Sequence, residues 1–291
     1  MGQIEYAATF LGAKLAETIY FFLSLARRII MKLGNDVSAV VTGGASGLGE
    51  ASARLLAEAG VKVAIFDLNE ELGKKVADQI GGVFCSCNVA DEASASAALA
   101  AARAAHGQER ILVNCAGIAL GRKTISRDRE TGAIMGHDLA SYKKVVEVNL
   151  IGTFNMITQS AVGMVDSEPL TNDGERGVII STASVAAQDG QIGQVAYAAS
   201  KGGVASMTLP IARDLARDGV RVMTILPGLF HTPMFDTLPD EVAEALGRSV
   251  PFPSRLGYPT EYASLVGQIC ENSMLNGECI RLDGGIRLAP K

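Results

Sequence analysis

The chain has 291 residues, 48 % of them hydrophobic and 20 % charged, with 32 glycines and nine prolines. That balance supplies a full core for one large domain or two ordinary ones and excludes a disordered or collagen-like chain. Twenty-six Lys and Arg against 31 Asp and Glu give a formal net charge of −5, and aromatics are 5 % with no tryptophan, so no nucleic-acid-binding surface is expected.

Residues 1–35 differ from the rest. Their apolar stretch is interrupted by Arg27 and Arg28, and its longest uncharged run, 18–26, falls well short of the ~20 residues of a membrane helix. Glu5 and Glu17 precede that run, where a secretory signal would carry positive charge. The segment is expected to be a helical extension outside the fold. An amphipathic surface helix and a targeting peptide are the alternatives.

From residue 36 onward strands and helices alternate. Strands are expected at 38–42, 62–66, 82–87, 111–114, 178–181, 220–226 and 278–282. Helical spacing fills 47–59, 70–79, 91–106, 141–165 and 195–217. This order predicts an α/β fold, a Rossmann-type doubly wound parallel sheet with helices on both faces. Its strands read as continuous apolar runs, as strands buried on both faces should. No repeat or linker divides residues 36–291, so one domain is expected.

The turn after the first strand is Thr42-Gly-Gly-Ala-Ser-Gly-Leu-Gly49. Glycines there let a backbone approach a pyrophosphate, which sits on the following helix N-terminus. A glycine-rich turn alone could be structural; its place between strand one and helix one favours a dinucleotide. Gly43, Gly47 and Gly49 are the candidate binding glycines. Asp67, ending the second strand, is placed to hydrogen-bond the adenosine ribose. It would repel a 2′-phosphate, and Leu68 follows it where a cation could have attracted one. NAD rather than NADP is the expected cofactor.

Tyr197 and Lys201 stand four apart, on one face of a helix, and Ser184 precedes Tyr197 just beyond a strand end. A phenol with a pKa of ~10 is a poor base at neutral pH. A neighbouring ammonium is expected to draw it toward neutrality, while the serine hydroxyl holds the substrate oxygen. The five cysteines form no C-x-x-C pair, and His106, His137 and His231 are scattered, so no metal site is expected. Free thiols suit a reducing compartment, cytoplasmic or, alternatively, the mitochondrial matrix.

The glycine turn, Asn114-Cys-Ala-Gly117, Asn149, Ser184, Tyr197-x-x-x-Lys201 and Pro227-Gly228 resemble the short-chain dehydrogenase/reductase family over 37–288. Stretches 181–187, 207–215, 227–233, 250–257 and 275–283 are most similar to its type-2 3-hydroxyacyl-CoA dehydrogenase branch, also described as hydroxysteroid dehydrogenases. The resemblance implies an NAD-dependent enzyme, usually a tetramer, interconverting 3-hydroxyacyl-CoA and 3-oxoacyl-CoA in fatty-acid or branched-chain amino-acid oxidation. The alternatives are a 3-oxoacyl-thioester reductase, a hydroxysteroid or alcohol dehydrogenase, and a non-catalytic scaffold.

By that resemblance Ser184, Tyr197, Lys201 and Asn149 are catalytic, with Asn149 anchoring a water relay behind Lys201. Ser184 and Tyr197 also meet the substrate. Ser46 and Leu48 would contact the pyrophosphate turn, and Asn88 and Val89 the adenine. Cys115 would line the adenosine side through its backbone. Phe230 and Thr232 would hold the nicotinamide amide, and Lys201 its ribose. Asn88 stands where the family usually has Asp, so an amide oxygen is expected at the adenine. His231 replaces a small residue and is expected to be a loop residue. The connection 117–141 carries Arg122, Lys123, Arg127 and Arg129, readable as a grip on CoA phosphates or as a solvated loop. Residues 233–253 are expected to form a substrate lid.

Overall fold

A computed structural model describes residues 30–233 and 240–290. The strands are β1 (Ser38–Thr42), β2 (Lys62–Asp67), β3 (Val83–Ser86), β4 (Ile111–Asn114), β5 (Ile125–Arg127), β6 (Ile134–Gly136), β7 (Gly177–Thr182), β8 (Val220–Pro227) and β9 (Cys279–Leu282). Seven pair in parallel in the order β3-β2-β1-β4-β7-β8-β9, and β5 and β6 form a separate antiparallel hairpin. The helices are α1 (Gly47–Glu58), α2 (Glu70–Ile80), α3 (Glu92–His106), α4 (Leu139–Val146), α5 (Gly152–Val165), α6 (Val195–Asp214), α7 (Asp240–Arg248) and α8 (Pro259–Glu271). Among the described residues no helix is long and apolar enough to cross a membrane.

Successive strand residues feed opposite layers because side chains alternate across a sheet. Val41, Ile65, Val113, Ile180 and Ile225 pack under α1 and α8 with Leu56, Val266 and Ile269. Val40, Ala64, Leu112, Ile179 and Val222 pack on the other face with Leu99, Met156, Met164 and Ile211. The doubly wound sheet expected from the apolar runs is therefore present. Asn69, Asp91 and Asp138 each start a helix by accepting a first-turn backbone N–H, from Leu72, Ser94 and Ser141.

Four features depart from the sequence reading. The connection 117–141 holds the β5–β6 hairpin, whose turn is built on Asp128: its Oδ1 accepts the N–H groups of Glu130 and Thr131 at 3.0 and 2.7 Å. The expected helix 141–165 carries a π turn at Glu147–Ile151, with buried Asn149 inside it. Helix α8 was not expected; Pro259 opens it, and Tyr258 N–H donates to the Glu261 carboxylate at 2.8 Å. Packing also begins before residue 36, since Met31 is 2 % exposed and lies in the same core as Val37 and Val61. The helical extension lies outside the described residues as far as residue 29. Of the expected lid, residues 234–239 lie outside them too, and α7 occupies much of the remainder.

Candidate active site

The chain runs from β1 outward to β3, then returns to β4 on the other side of β1. Connections therefore diverge at the carboxyl ends of β1 and β4 and leave a crevice, where open α/β sheets bind ligands. Gly43, at φ 64°, holds the turn tight: a Cβ there would lie 2.7 Å from Ala116 N in the chain leaving β4. A Cβ on Gly49 would collide with the Gly43 carbonyl, so that position carries helix and turn in direct contact. Ser46 precedes α1, yet its side chain makes no capping bond. Unlike α2, α3 and α4, α1 thus opens onto the crevice with first-turn N–H groups that no cap side chain has taken.

The crevice widens into a cleft of about 520 Å³. Asp67, Asn88 and Val89 line it with Gly43, Ser46, Gly47, Leu48 and Gly49. Cys115, Ser184, Tyr197, Lys201, Phe230 and Thr232 line it as well. Residues spread over 190 positions thus converge as the sequence reading expected, with Asn149 the exception. Asp67 Oδ2 accepts Ala45 N–H at 3.1 Å and Oδ1 accepts Asn69 N–H at 2.9 Å. The Asn88 amide oxygen accepts Ala90 N–H at 3.2 Å, so one of its lone pairs already serves its own loop.

Ser184 follows β7 and starts a short 3₁₀ turn, its Oγ accepting Ala186 N–H at 3.1 Å. That bond uses a lone pair and leaves the hydroxyl proton free to donate. The nearby Ser184 hydroxyl favours the Tyr197 phenolate, but burial outweighs it and holds the phenol above its ordinary range. The expected pull toward neutrality is therefore absent from this geometry. Lys201 Nζ lies 5.9 Å from the Tyr197 ring centre and donates to the Thr182 carbonyl at 2.6 Å. Burial also weakens that ammonium, drawing its pKa down to about 8, with only Cys115 opposing.

Asn149 lies behind the cleft wall, and its side chain is held by protein groups. Its Oδ1 accepts Ile118 N–H at 2.8 Å, and its Nδ2 donates to Ile118 O at 2.8 Å and Ser200 Oγ at 3.0 Å. With both amide N–H groups used, the side chain ties the π turn to the β4 loop and to α6, one residue from Lys201. Its backbone carbonyl accepts the Thr153 hydroxyl at 2.7 Å.

Two residues, Thr182 on the cleft lining and Tyr262 buried behind it, escaped sequence reasoning. Thr182 supplies the carbonyl that holds Lys201, and Tyr262 of α8 lies 2.7 Å from the Thr182 hydroxyl. No short-range spacing marks either one. His231 is a loop residue as expected; its ring stacks on Tyr258 at 5.8 Å, and the Arg255 guanidinium lies 4.4 Å from the Tyr258 ring centre. Arg122 pairs with Asp138 at 2.7 Å, and Arg127 donates to Gly132 O at 3.0 Å. None of Arg122, Lys123, Arg127 and Arg129 lines the cleft. All five cysteines are free.

Comparison with known proteins agrees with this architecture. A family model described as short chain dehydrogenase matches residues 38–243. The 3-hydroxyacyl-CoA dehydrogenase type-2 of Bos taurus is 52 % identical over 254 residues, covering 87 % of this chain and 95 % of that protein. Its Drosophila melanogaster counterpart is 50 % identical, covering 88 % and 99 %. The crystal structure of 3-hydroxyacyl-CoA dehydrogenase type-2 from Mycobacterium avium superposes with a TM-score of 0.84 at 40 % identity, covering 90 % of this chain and all of that one. A dinucleotide-type crevice, a serine–tyrosine–lysine end to it and relatives at half identity over nearly their whole length have one common explanation, and the chain belongs to the short chain dehydrogenase family of oxidoreductases.

Proposed function

We infer that the protein interconverts 3-hydroxyacyl-CoA and 3-oxoacyl-CoA by hydride transfer with NAD. The observation that carries this reading is the placement of Ser184, Tyr197 and Lys201 in the cleft that Asp67 also lines. Half-identical relatives that bear the name 3-hydroxyacyl-CoA dehydrogenase support the substrate class.

The cleft fits a dinucleotide. The uncapped start of α1 and the glycines beneath it suit a pyrophosphate, held by Ser46 and Leu48. Asp67 suits ribose hydroxyls, and Leu68, 71 % exposed beside it, offers no charge to a 2′-phosphate. Asn88 and Val89 would flank the adenine, Phe230 and Thr232 the nicotinamide amide, and Lys201 the second ribose. When bound, NAD supplies the hydride acceptor.

The chain's own residues handle the proton. Ser184 donates to the substrate oxygen and fixes its distance from Tyr197. Tyr197 as phenolate takes the hydroxyl proton while C3 gives up hydride. Because burial holds the phenol up, the Lys201 charge has to sustain that phenolate. An ammonium with a pKa of about 8 also exchanges protons near neutrality, so Lys201 is the group able to pass the proton onward. Asn149 contributes by fixing the π turn and Ser200 behind Lys201.

The test is a comparison of NADH-linked rates with acetoacetyl-CoA, 2-methylacetoacetyl-CoA, an acyl-carrier-protein thioester and a steroid ketone. The CoA thioesters should give the highest kcat/KM. A preference for the carrier-protein thioester or the steroid overturns the substrate reading. A homotetramer accompanies this reading, supported by exposed apolar side chains at Ile151, Phe154 and Val162 on one helix and Met274 and Phe252 elsewhere. Light scattering at working concentration should return four chains.

A further inference from the structure

Tyr262 is the largest fully buried side chain among the described residues, at 0 % exposure, and its hydroxyl needs a partner there. It finds Thr182 Oγ1 at 2.7 Å and Cys115 Sγ at 3.7 Å. Cys115 Sγ also lies 3.4 Å from Thr182 Oγ1, so the three side chains form one cluster, and one assignment of its protons satisfies every member. Thr182 has one hydroxyl proton, and the Asn114 carbonyl, which can only accept, lies 2.6 Å away. Tyr262 must therefore donate to Thr182, and the Cys115 thiol can donate to Tyr262. Burial keeps the Tyr262 phenol well above its ordinary pKa, so it remains a donor at any working pH.

The result is a bonded cluster of Cys115, Tyr262 and Thr182 anchored on the Asn114 carbonyl, spanning α8 and the ends of β4 and β7. Thr182 is the last residue of β7, and pairing of β7 with β4 stops one residue earlier, at Ser181 with Asn114. Side-chain bonds therefore hold Thr182 on the β4 side just where ladder bonds end. The carbonyl of that same residue holds Lys201 Nζ at 2.6 Å. We propose that Tyr262 is a positioning residue for the reaction: through the Thr182 hydroxyl it fixes the carbonyl that places Lys201 beside Tyr197. Around Lys201 the titratable groups are Tyr197 and Cys115, with Tyr262 one bond further away.

This inference rests on the assigned role of Lys201 for its catalytic meaning, but not for its geometry, and the test separates the two. Tyr262→Phe keeps the ring and removes the donor; Thr182→Val removes the hydroxyl and keeps the carbonyl; Thr182→Ser keeps both. The pH dependence of Lys201 labelling by an amine reagent, read by peptide mass spectrometry without cofactor, reports the ammonium directly. With the carbonyl no longer fixed, the charged form loses its acceptor. Lys201 should then titrate at least half a pH unit lower in Tyr262→Phe and Thr182→Val, and as in the wild type in Thr182→Ser. The double variant should shift no further than either single one. The falling, alkaline limb of the kcat–pH profile should move to lower pH with it, and kcat should fall about tenfold with a smaller change in KM for NAD. An unmoved Lys201 titration, or additive shifts in the double variant, overturns the proposal even if turnover falls. A shifted titration with unaltered turnover upholds the placement and counts against the role assigned to Lys201.

Discussion

Asp67 Oδ2 accepts the N–H of Ala45 at 3.1 Å, joining the end of β2 to the glycine turn that follows β1. With Oδ1 on Asn69 N–H, the carboxylate braces the turn as well as facing the cleft. Asp67→Ala should therefore do two things at once. The kcat/KM ratio of NADP to NAD should rise about tenfold or more as repulsion of the 2′-phosphate is relieved. KM for NAD itself should also rise, because the turn loses its brace. Steady-state kinetics with both cofactors checks this, and a wild-type preference for NADP sinks the reading of the second strand.

Tyr197→Phe keeps the ring and removes the proton carrier. Turnover should fall by about 10²–10⁴-fold, the range for loss of a general acid–base group. Binding of NAD, followed by fluorescence quenching or calorimetry, should change by less than about threefold because the phenol proton is not its anchor. Undiminished turnover in the purified variant would remove Tyr197 from the mechanism.

Lys201 illustrates a cost in stability at a functional position. Its ordinary pKa is 10.5 and burial brings it to about 8, so the folded state gives up the proton first. Below pH 8 both states are charged and the folded state bears the full burial cost. Between 8 and 10.5 the unfolded chain holds more protons, so stability rises with pH across that window. Lys201→Met should abolish turnover yet stabilise the protein at pH 7 by about 1–3 kcal/mol, the burial cost less the lost bond to Thr182. Thermal unfolding from pH 7 to 10.5 should show the variant's advantage shrinking. A constant advantage would mean the charge is not the cause.

How much of this was legible follows from the range of each signal. The β1 turn, Asp67 and the Tyr197–Lys201 pair are marked by spacing within a strand or a helical turn, and all of them line the cleft. Burial is not written in local spacing, so the raised Tyr197 phenol and the weakened Lys201 ammonium ran against expectation. The bonds that hold the Asn149 side chain could not be read locally, because its partners Ile118 and Ser200 are 31 and 51 residues away. Tyr262 meets Thr182 across 80 residues through a helix whose start signal, Pro259 with Glu261 near it, could have been found. The three-residue strands of the hairpin are exposed along their length, leaving no hydrophobic alternation to read.

Arg221 should be the most costly buried charge to remove. On β8 and 5 % exposed, it donates to Glu175 at 2.8 Å, to the carbonyls of Ile269 and Cys270 at the end of α8, and to that of Leu275 beyond it. Arg221→Met leaves Glu175 alone in a site where burial already raises its pKa, and should cost about 3–5 kcal/mol. Glu175 then binds its proton more tightly folded than unfolded. Stability is lost as pH rises through the carboxyl range, so the deficit should be smaller at pH 5 than at pH 8. Denaturant melts at both values check it, and equal deficits would place the loss in the helix carbonyls instead.

The last prediction concerns the hairpin and the CoA end of the substrate. Of its four cations, Arg122 is engaged with Asp138 and Arg127 with the Gly132 carbonyl, which makes both part of the hairpin's own structure. Of the nearby acids, Asp128 and Asp138 are spent, and Glu130 is exposed with no ion pair to Lys123 or Arg129. Asp128 accepts two backbone N–H groups and the Thr131 hydroxyl, and Asp138 caps α4 through Ser141. Lys123 and Arg129 are exposed, and the hairpin follows β4 on the carboxyl side of the sheet, beyond the cleft wall at Ile118. A CoA thioester whose acyl end sits at Ser184 has to leave the cleft, and its phosphates then need cations outside it. Replacing Lys123 and Arg129 together by Ala should raise KM for acetoacetyl-CoA by about three- to tenfold at low salt, with kcat unchanged. Exposed charges are screened within about 3 Å at 1 M salt, so the difference from the wild type should disappear there. A truncated pantetheine thioester, which lacks the phosphates, should show no difference at any salt. Equal losses with both substrates would make the hairpin a general cover over the cleft and leave the CoA phosphates to be held elsewhere.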